Sequence, residues 1–230
     1  MTKPIRLLVT CEHATNHVPA SLRRRVAIPP EILESHCGWD PGTKELARKL
    51  ARRFDVDLVE GEVSRLIIEM NRSLSHPKLW SEFIRALDRE EKDALIERYH
   101  RPYRARVMES IEGAIGRGEK LFHLSLHSFT PVFDGVTRNV DIGLLFDPRR
   151  AWETRMSRQW QILLQNNLPG SRIRRNQPYR GITDGLTTAL RREYPATHYA
   201  GVELEVSQHF PLAGGREWTQ MQETICRTLL

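Results

Sequence analysis

Short runs of β-type residues alternate with longer segments of helical periodicity along this chain, and that alternation restricts the fold more than any other feature. Apolar runs at 5–10 (IRLLVT), 120–126 (KLFHLSL) and 140–146 (VDIGLLF) predict strands, whereas 41–53 and 151–166 carry apolar residues at helical spacing. Strands that alternate with helices are typical of parallel or mixed sheets covered by helices. We therefore predict an α/β fold with a mixed central sheet flanked by helices.

The remaining elements follow from the same criteria. Strands are predicted at 56–59, 65–70 and 198–206, and helices over 88–115, over 185–193 and from about 216. Pro102 should kink or split the long helix, because proline lacks the backbone N–H that a helix interior needs. Asp40 and Pro41 stand where an N-cap and a first helical residue would begin the helix at 41–53.

The length of the chain bounds its organisation. With 230 residues, 40% of them hydrophobic, the chain can bury a substantial core, and we predict one domain over 1–230. Three cysteines without CxxC spacing argue against a disulfide framework. The apolar run near the N-terminus is too short for a signal peptide and no segment is long enough to span a membrane, so we expect a cytoplasmic protein with no membrane partner.

The charge of the chain suggests an anionic partner without identifying it. Lysine and arginine number 35 against 29 acidic residues, which gives a net charge of +6 and an isoelectric point near 9.5. The basic residues lie in short scattered clusters, and no known nucleic-acid-binding signature is present. Solvated basic faces are therefore favoured over a nucleic-acid interface.

Potentially reactive side chains gather at the predicted carboxyl ends of three strands. They are Glu12, His13 and Asn16 after the first strand, His127 after 120–126, and Glu203 and Glu205 late in 198–206. Ligands of open α/β sheets bind beyond these strand ends. Two histidines and a carboxylate can hold zinc, with a further glutamate as proton acceptor, although strand-end histidines are often only hydrogen-bonded core residues.

The alternation of side chains along a strand assigns these residues to faces. His123, Ser125 and His127 share one face of their strand, and Glu203 and Glu205 share one face of theirs. If the apolar faces turn to the core, the polar faces should lie at a cleft or in solvent.

Six sequence blocks, in their order along the chain, resemble the N-formylglutamate amidohydrolase family. They are VTCEHATNHVP, GWDPGTKELARKLA, SRLIIEMNRS, YHRPYRARV, LHSFTP and NQPYRGI, and they extend from about residue 7 to 207. The resemblance implies a fold similar to that of zinc carboxypeptidases and aspartoacylases, which is phosphorylase/hydrolase-like, with one catalytic zinc. It also implies a deformylase of amino-acid metabolism that hydrolyses an N-acyl amino acid, typically N-formyl-L-glutamate to formate and glutamate.

The resemblance implies His13 and His127 as metal ligands. In the related carboxypeptidases a ligating glutamate follows the first histidine by three residues, and here that position is Asn16, a poor zinc ligand. Asp40 in the WDPG block is the preferred third ligand, with capping of the following helix as its other interpretation. Asn16 and Glu12 stay open as alternatives. Zinc is expected, although the same donors serve other divalent metals.

The resemblance further implies a catalytic glutamate in the late strand. Glu205 is the candidate general base and Glu203 the alternative. Such a carboxylate would take a proton from metal-activated water and return it to the leaving amine, and desolvation would raise its pKa toward a useful value.

The block NRS supplies candidates for substrate binding. Similar Asn-Arg pairs in zinc carboxypeptidases hold the substrate carboxylate, so Asn71 and Arg72 are assigned to it, and an arginine fork matches a carboxylate in two parallel hydrogen bonds. Arg65 could hold a second carboxylate or stabilise an oxyanion, or it could simply pair with Glu69.

The two proline-tyrosine blocks supply further pocket candidates. Tyr179 is the main one, with Tyr103 and Arg180 beside it, although a tyrosine after proline also serves ordinary packing. Gly181 could permit a close approach of two backbones or adopt a positive φ.

Taken together, the sequence predicts a zinc-dependent amidohydrolase that acts on a small N-acyl amino acid with a free carboxylate. A serine hydrolase is disfavoured because no GxSxG motif stands between a strand and a helix. The alternative is a non-catalytic protein that retains the fold and binds an anion or nucleic acid, which the residue at position 16 and the basic isoelectric point would suit.

Overall fold

A six-stranded mixed sheet forms the centre of the structure, a computed structural model that describes residues 3–229. The strands are β1 Ile5–Cys11, β2 Leu58–Glu60, β3 Lys120–Phe129, β4 Val132–Phe133, β5 Val136–Thr137, β6 Ile142–Leu145, β7 Ile173–Arg175 and β8 Tyr199–Ser207. The order is β2-β1-β3-β8-β6-β7, and neighbours are parallel except β8 and β6. β4 and β5 form a separate antiparallel hairpin. The predicted mixed sheet is confirmed.

Helices cover both faces of this sheet. They are α1 Ala20–Arg23, α2 Pro30–Leu33, α3 Thr43–Phe54, α4 Arg89–Leu95, α5 Arg101–Gly116, α6 Ala151–Asn167, α7 Leu186–Glu193, α8 His209–Ala213 and α9 Gly215–Thr228. One apolar cluster joins the sheet to α3, α6 and α9, and a second joins it to α5 and α7. The result is a three-layer α/β domain. Between residues 3 and 229, no helix is long and apolar enough to cross a bilayer.

Burial of both sheet faces corrects one expectation about the polar face of β3. His123 is fully buried, and its ring nitrogens each lie 2.8 Å from a hydroxyl, that of Thr10 on one side and that of Tyr199 on the other. Ser125 is also fully buried, and its hydroxyl donates to Glu12 at 2.8 Å. The polar face of β3 therefore lies in the interior along most of its length, where hydrogen bonds compensate its desolvation, and reaches a cleft only at the strand end.

The long helical segment is divided as predicted from Pro102. Helix α4 ends at Leu95, a π-helical segment covers Ile96–His100, and α5 begins at Arg101. Pro102 follows directly on the π-helical turn, whose last hydrogen bond runs from the Arg101 N–H to the Ile96 carbonyl, so the missing N–H of Pro102 falls where the helical hydrogen-bond pattern changes.

The strand predicted at 65–70 does not form. Ile67 and Ile68 are fully buried, so the apolar run does enter the core, but the backbone turns, and the Ile67 N–H donates to the Ser64 carbonyl. The Glu69 N–H donates to the carbonyl of Leu79. Because a loop supplies these hydrogen bonds, the segment is buried without joining the sheet.

Asp40 is not the N-cap of α3 that one interpretation assigned to it. The helix begins at Thr43 after Gly42, whose φ of 82° lies in the left-handed region. A Cβ at position 42 would come within 2.4 Å of Pro211, so a glycine is needed there for space as well. The backbone carbonyl of Asp40 accepts the Thr43 hydroxyl at 2.6 Å, whereas the Asp40 carboxylate faces His13 and His127.

Candidate active site

The carboxyl ends of three adjacent parallel strands meet at one edge of the sheet. His13 follows β1, and His127 lies near the carboxyl end of β3. Glu205 lies in β8 directly opposite His127 in the strand register. The Asp40 loop joins them, because the Asp40 N–H donates to the His13 carbonyl at 3.0 Å. The convergence expected for strand ends of an α/β sheet is thus present.

Two histidines and one aspartate form a compact, buried group. His13, Asp40 and His127 each offer a ligand atom, and these atoms lie within 4.8 Å of one another. Nδ1 of His13 is 3.1 Å and Nδ1 of His127 is 3.2 Å from Oδ2 of Asp40. Two imidazoles and a carboxylate are a donor set that fits zinc or a similar divalent ion and leaves a position open. The partly buried Asn16 does not line the cavity that these residues share and lines a different groove.

Glu12, the other alternative ligand, is turned to the opposite side of His127. The side chain is fully buried, and its oxygens accept hydrogen bonds from the hydroxyls of Tyr103 at 2.7 Å and Ser125 at 2.8 Å. Its Oε2 lies 3.1 Å from Nε2 of His127. Burial raises the pKa of Glu12, but the hydrogen bonds from His127 and Tyr103 outweigh it and lower that pKa. Tyr103 is therefore a partner of Glu12 and not a pocket residue.

Glu69 is a component of the site that the sequence interpretation considered only as a partner of Arg65. One oxygen lies 2.5 Å from Nε2 of His13 and also accepts the Asn71 N–H, while the other accepts two hydrogen bonds from Arg65. Burial opposes ionisation, but Arg65 and His13 lower the pKa of Glu69 well below its usual value. The signal available in the sequence was an acidic residue inside the apolar run 65–70.

Glu205 presents an unpartnered carboxyl oxygen at this edge. The residue is 5% exposed, and no group among residues 3–229 hydrogen-bonds to its Oε2. Burial raises its pKa to about 7, although His127 acts in the opposite direction. Glu203, the alternative base, accepts a hydrogen bond from the Thr187 hydroxyl at 2.5 Å. A buried carboxyl with a free oxygen and a pKa near neutrality is equipped to take up and release a proton.

A cavity of about 590 Å³ opens onto this group of side chains. Its lining contains His13, Asp40, His127, Glu205 and every substrate-binding candidate from the sequence, namely Arg65, Asn71, Arg72 and Tyr179. Lys78 and Arg180 add positive charge to the wall. The volume lies within the range of small-molecule pockets.

The Asn71–Arg72 segment is held in place from both sides. Oδ1 of Asn71 accepts the Leu186 N–H at 2.7 Å, and the Arg72 guanidinium donates to the backbone carbonyl of Asp184. Behind the segment, Nε2 of His100 and the guanidinium of Arg104 both donate to the Arg72 carbonyl, at 2.9 and 3.0 Å. The Arg72 side chain thus projects from a fixed backbone into the cavity.

Arg65 is occupied by the acids around it. Its guanidinium donates to Glu69 at 2.6 and 3.0 Å and to Asp40 at 3.3 Å, and the side chain is 29% exposed. Of the interpretations considered for Arg65, the pairing with Glu69 is the one that the structure contains. This cation offsets the negative charge of the two carboxylates.

The loop that carries Tyr179 borders the mouth of the cavity. The Tyr179 hydroxyl accepts a hydrogen bond from Arg138 at 2.9 Å, and the Arg138 guanidinium lies 4.9 Å from the ring centre. A Cβ at Gly181 would lie 2.2 Å from the backbone nitrogen of Phe146, so the close backbone approach expected at this glycine is confirmed.

Comparison with known proteins links this chain to one sequence family and to solved structures of the same fold. The family model for N-formylglutamate amidohydrolase matches residues 5–210. The crystal structure of gene product Atu2144 from Agrobacterium tumefaciens is 27% identical with a TM-score of 0.80, over 97% of this chain and 88% of that one. The N-formylglutamate amidohydrolase from Ralstonia eutropha JMP134 is 20% identical with a TM-score of 0.76, over 99% and 92% of the two chains, and shows the same fold. No curated protein matches the sequence at a significant level.

Proposed function

The chain belongs to the N-formylglutamate amidohydrolase family and is an amide-hydrolysing enzyme, and from this premise we propose that it is a zinc-dependent deformylase of N-formyl-L-glutamate or a closely related acidic N-acyl amino acid. We propose in addition that residues 1–230 act as one domain with a fold akin to that of zinc carboxypeptidases. The observation that carries the proposal is the free oxygen of buried Glu205 beside the group of His13, Asp40 and His127. Family membership also favours an enzyme over the non-catalytic binding protein that the sequence left open.

The metal would be held by His13, Asp40 and His127. Their donor atoms are close enough together to share one ion, and the Asp40 carboxylate supplies a negative charge beside two imidazoles. When bound, zinc or a similar divalent ion would supply Lewis-acid activation of water and of the acyl carbonyl. Arg65 holds Asp40 from the other side, with 3.3 Å between its Nη1 and Oδ1 of Asp40.

Glu205 would carry the proton in the reaction. It accepts a proton at Oε2 as the water oxygen adds to the acyl carbon, and it delivers that proton to the amide nitrogen as the C–N bond breaks. Formate and the free amine of glutamate are then released. A carboxyl whose pKa is raised to about 7 by burial suits both halves of this cycle, because it binds and releases a proton at neutral pH.

Arg72 would orient the substrate through its free carboxylate. Its guanidinium faces the cavity with one donor engaged by the Asp184 carbonyl, so other donors remain for a bidentate contact. Asn71 and Tyr179 line the same space, and Arg180 and Lys78 provide positive charge for a second carboxylate. Arg65 is better assigned to holding Asp40 and Glu69, because its donors point to them.

The test is release of formate and glutamate from N-formyl-L-glutamate by the purified protein, before chelation, after chelation and after restoration of zinc. We expect activity that disappears with the chelator and returns with zinc. His13→Ala and His127→Ala should abolish both zinc binding and activity, whereas the exposed His209→Ala should change neither.

Two results would contradict separate parts of the proposal. A zinc-loaded protein that does not act on N-formyl-L-glutamate excludes this substrate, and a panel of other N-acyl amino acids then locates the true one. Activity that survives complete removal of metal excludes the metal-dependent mechanism.

A further inference from the structure

The two histidines of the candidate metal group are held in the same way, each between Asp40 and a buried glutamate. Nδ1 of His13 faces Oδ2 of Asp40 at 3.1 Å, and its Nε2 faces Oε1 of Glu69 at 2.5 Å. Nδ1 of His127 faces the same Asp40 oxygen at 3.2 Å, and its Nε2 faces Oε2 of Glu12 at 3.1 Å. In both rings Nδ1 points toward Asp40 and Nε2 points toward a glutamate.

The glutamates determine which nitrogen carries the hydrogen. An ionised carboxylate only accepts hydrogen bonds, so a ring nitrogen that contacts it must be an N–H. Nδ1 of each ring also faces a carboxylate, that of Asp40, but a metal ion shared with Asp40 would there take the place of the hydrogen. Each neutral ring then carries its hydrogen on Nε2, the nitrogen that faces a glutamate, and its lone pair on Nδ1. The contacts of Ser125 agree with this assignment at His127. The Ser125 hydroxyl donates to Glu12, so the Ser125 oxygen can accept a hydrogen bond from Nε2 of His127 at 3.0 Å. The Asn71 amide nitrogen lies farther from that Nε2, at 3.5 Å.

Neither glutamate is free to serve as a general base. Glu12 is fully buried, does not line the cavity, and has both oxygens engaged by Tyr103, Ser125 and His127. Glu69 borders the cavity, but its two oxygens are occupied by the contacts with Arg65, the Asn71 N–H and His13. Burial of a carboxylate is costly, and here each is compensated by donors whose arrangement fixes its orientation.

We propose that Glu12 and Glu69 are positioning residues that fix His127 and His13 in the tautomer that binds the metal through Nδ1. The inference rests on the proposed metal site and assigns the residues that hold its two histidine ligands. Carboxylates that accept the second N–H of a metal-bound histidine also hold the ring orientation and increase the basicity of the ligand nitrogen. Glu12 of the CEH block thus acts through His127 on the neighbouring strand β3, and not through the adjacent residue His13.

The test compares zinc affinity in Glu12→Gln and Glu69→Gln with that of the unmodified protein, by competition with a chromophoric chelator. An amide cannot accept at both ends, whereas both oxygens of each glutamate accept now. We expect each variant to bind zinc about 10- to 100-fold more weakly. Absorption of the cobalt(II)-loaded proteins gives a second readout, and the ligand-field bands should shift in both variants.

Glu153→Gln is the matched control. Glu153 is another fully buried glutamate, it pairs with Arg191 at 3.0 Å, and it does not line the cavity. Its substitution also removes a buried negative charge, so zinc affinity and the cobalt spectrum should stay unchanged once the thermal unfolding of each variant shows that it is folded. Tyr103→Phe is a milder test of the Glu12 arm, because it removes only the hydroxyl that donates to Oε1 of Glu12, and it should weaken zinc binding less than Glu12→Gln.

The outcomes separate this inference from the proposed function. Unchanged zinc affinity and cobalt spectra in Glu12→Gln and Glu69→Gln would overturn the positioning role while leaving the metal site intact. If Glu12→Gln does not fold, unchanged values in Tyr103→Phe overturn the Glu12 arm. Failure of the unmodified protein to bind zinc would overturn the metal site and this inference together.

Discussion

Replacement of Glu205 by glutamine should disable the enzyme and at the same time stabilise the metal-free protein. The two effects have one origin, the buried carboxyl oxygen that has no partner among residues 3–229. Glutamine has nearly the same shape but cannot shuttle a proton. Loss of general acid–base catalysis lowers rates by about 10²–10⁴-fold. We expect a fall in kcat of this order, with zinc binding retained because Glu205 is not one of the three candidate ligands.

The stability effect follows from the raised pKa of Glu205. Burial raises this pKa from 4.5 to about 7, so the unfolded chain gives up the proton at lower pH than the folded one. Folded stability is therefore lost as the pH rises from about 4.5 through about 7. The shift corresponds to about 3 kcal/mol at pH 8 and less than about 1 kcal/mol at pH 5. Glutamine stays neutral and avoids this loss.

The assay is urea unfolding of chelator-treated protein at pH 5 and pH 8, in parallel with kcat of the zinc-loaded protein. Glu205→Gln should match the unmodified protein at pH 5 and exceed it at pH 8. Glu203→Gln on the same strand provides the comparison, since Glu203 is hydrogen-bonded to Thr187 and should lose less activity. Equal or lower stability of Glu205→Gln at pH 8 would refute the reasoning about the buried carboxyl, and a kcat within tenfold of the original would refute its catalytic assignment.

Three further predictions test other parts of the molecule. Arg72→Lys should raise KM for the substrate about 10- to 100-fold with a smaller change in kcat, as steady-state kinetics would show, because lysine cannot form a two-point contact with a carboxylate. Asp141→Asn should destabilise the protein at pH 7, because it removes a carboxylate that Arg172 stabilises in its ionised form. Burial raises the pKa of Asp141, but hydrogen bonds from Arg172 outweigh burial and lower that pKa below 3.8. The stabilisation is present above pH 3.8 and is lost as the pH falls through the folded-state pKa, so the difference between the two proteins in urea unfolding should close in acid. Gly181→Ala should cost about 1–3 kcal/mol in the same assay, since its Cβ would lie 2.2 Å from the backbone of Phe146; an unchanged midpoint would show that the loop relaxes freely.

The parts of the site that lie on strands could be predicted from the sequence. His127 and Glu205 meet because residues at the ends of adjacent parallel strands are brought together by any fold of this class, and His13 follows the next strand in the same sheet. The order of elements and the division of the long helix near Pro102 follow from equally local rules.

The parts that lie on irregular segments could not be predicted to the same degree. Asp40 had two interpretations, and the choice depends on Gly42, which has a left-handed backbone directly before the helix and leaves no room for a Cβ against the distant Pro211. The contact of Glu69 with His13 was overlooked because the apolar run around Glu69 resembled a strand, and periodicity gives no sign that a buried segment turns. The burial of His123 likewise depends on which helix covers the second face of the sheet.

The π-helical segment Ile96–His100 makes the substrate end of the site sensitive to chain length. Each residue added to or removed from a helix rotates everything beyond it by about 100°. His100 ends the segment and Arg104 lies one turn later, and both reach the Arg72 carbonyl only in the present phase. A deletion of one residue within 96–100 would remove the π-helical turn and change the rotation of α5 relative to α4. Such a change of helical phase would move the two donors that hold the Arg72 backbone, although neither of them lines the cavity.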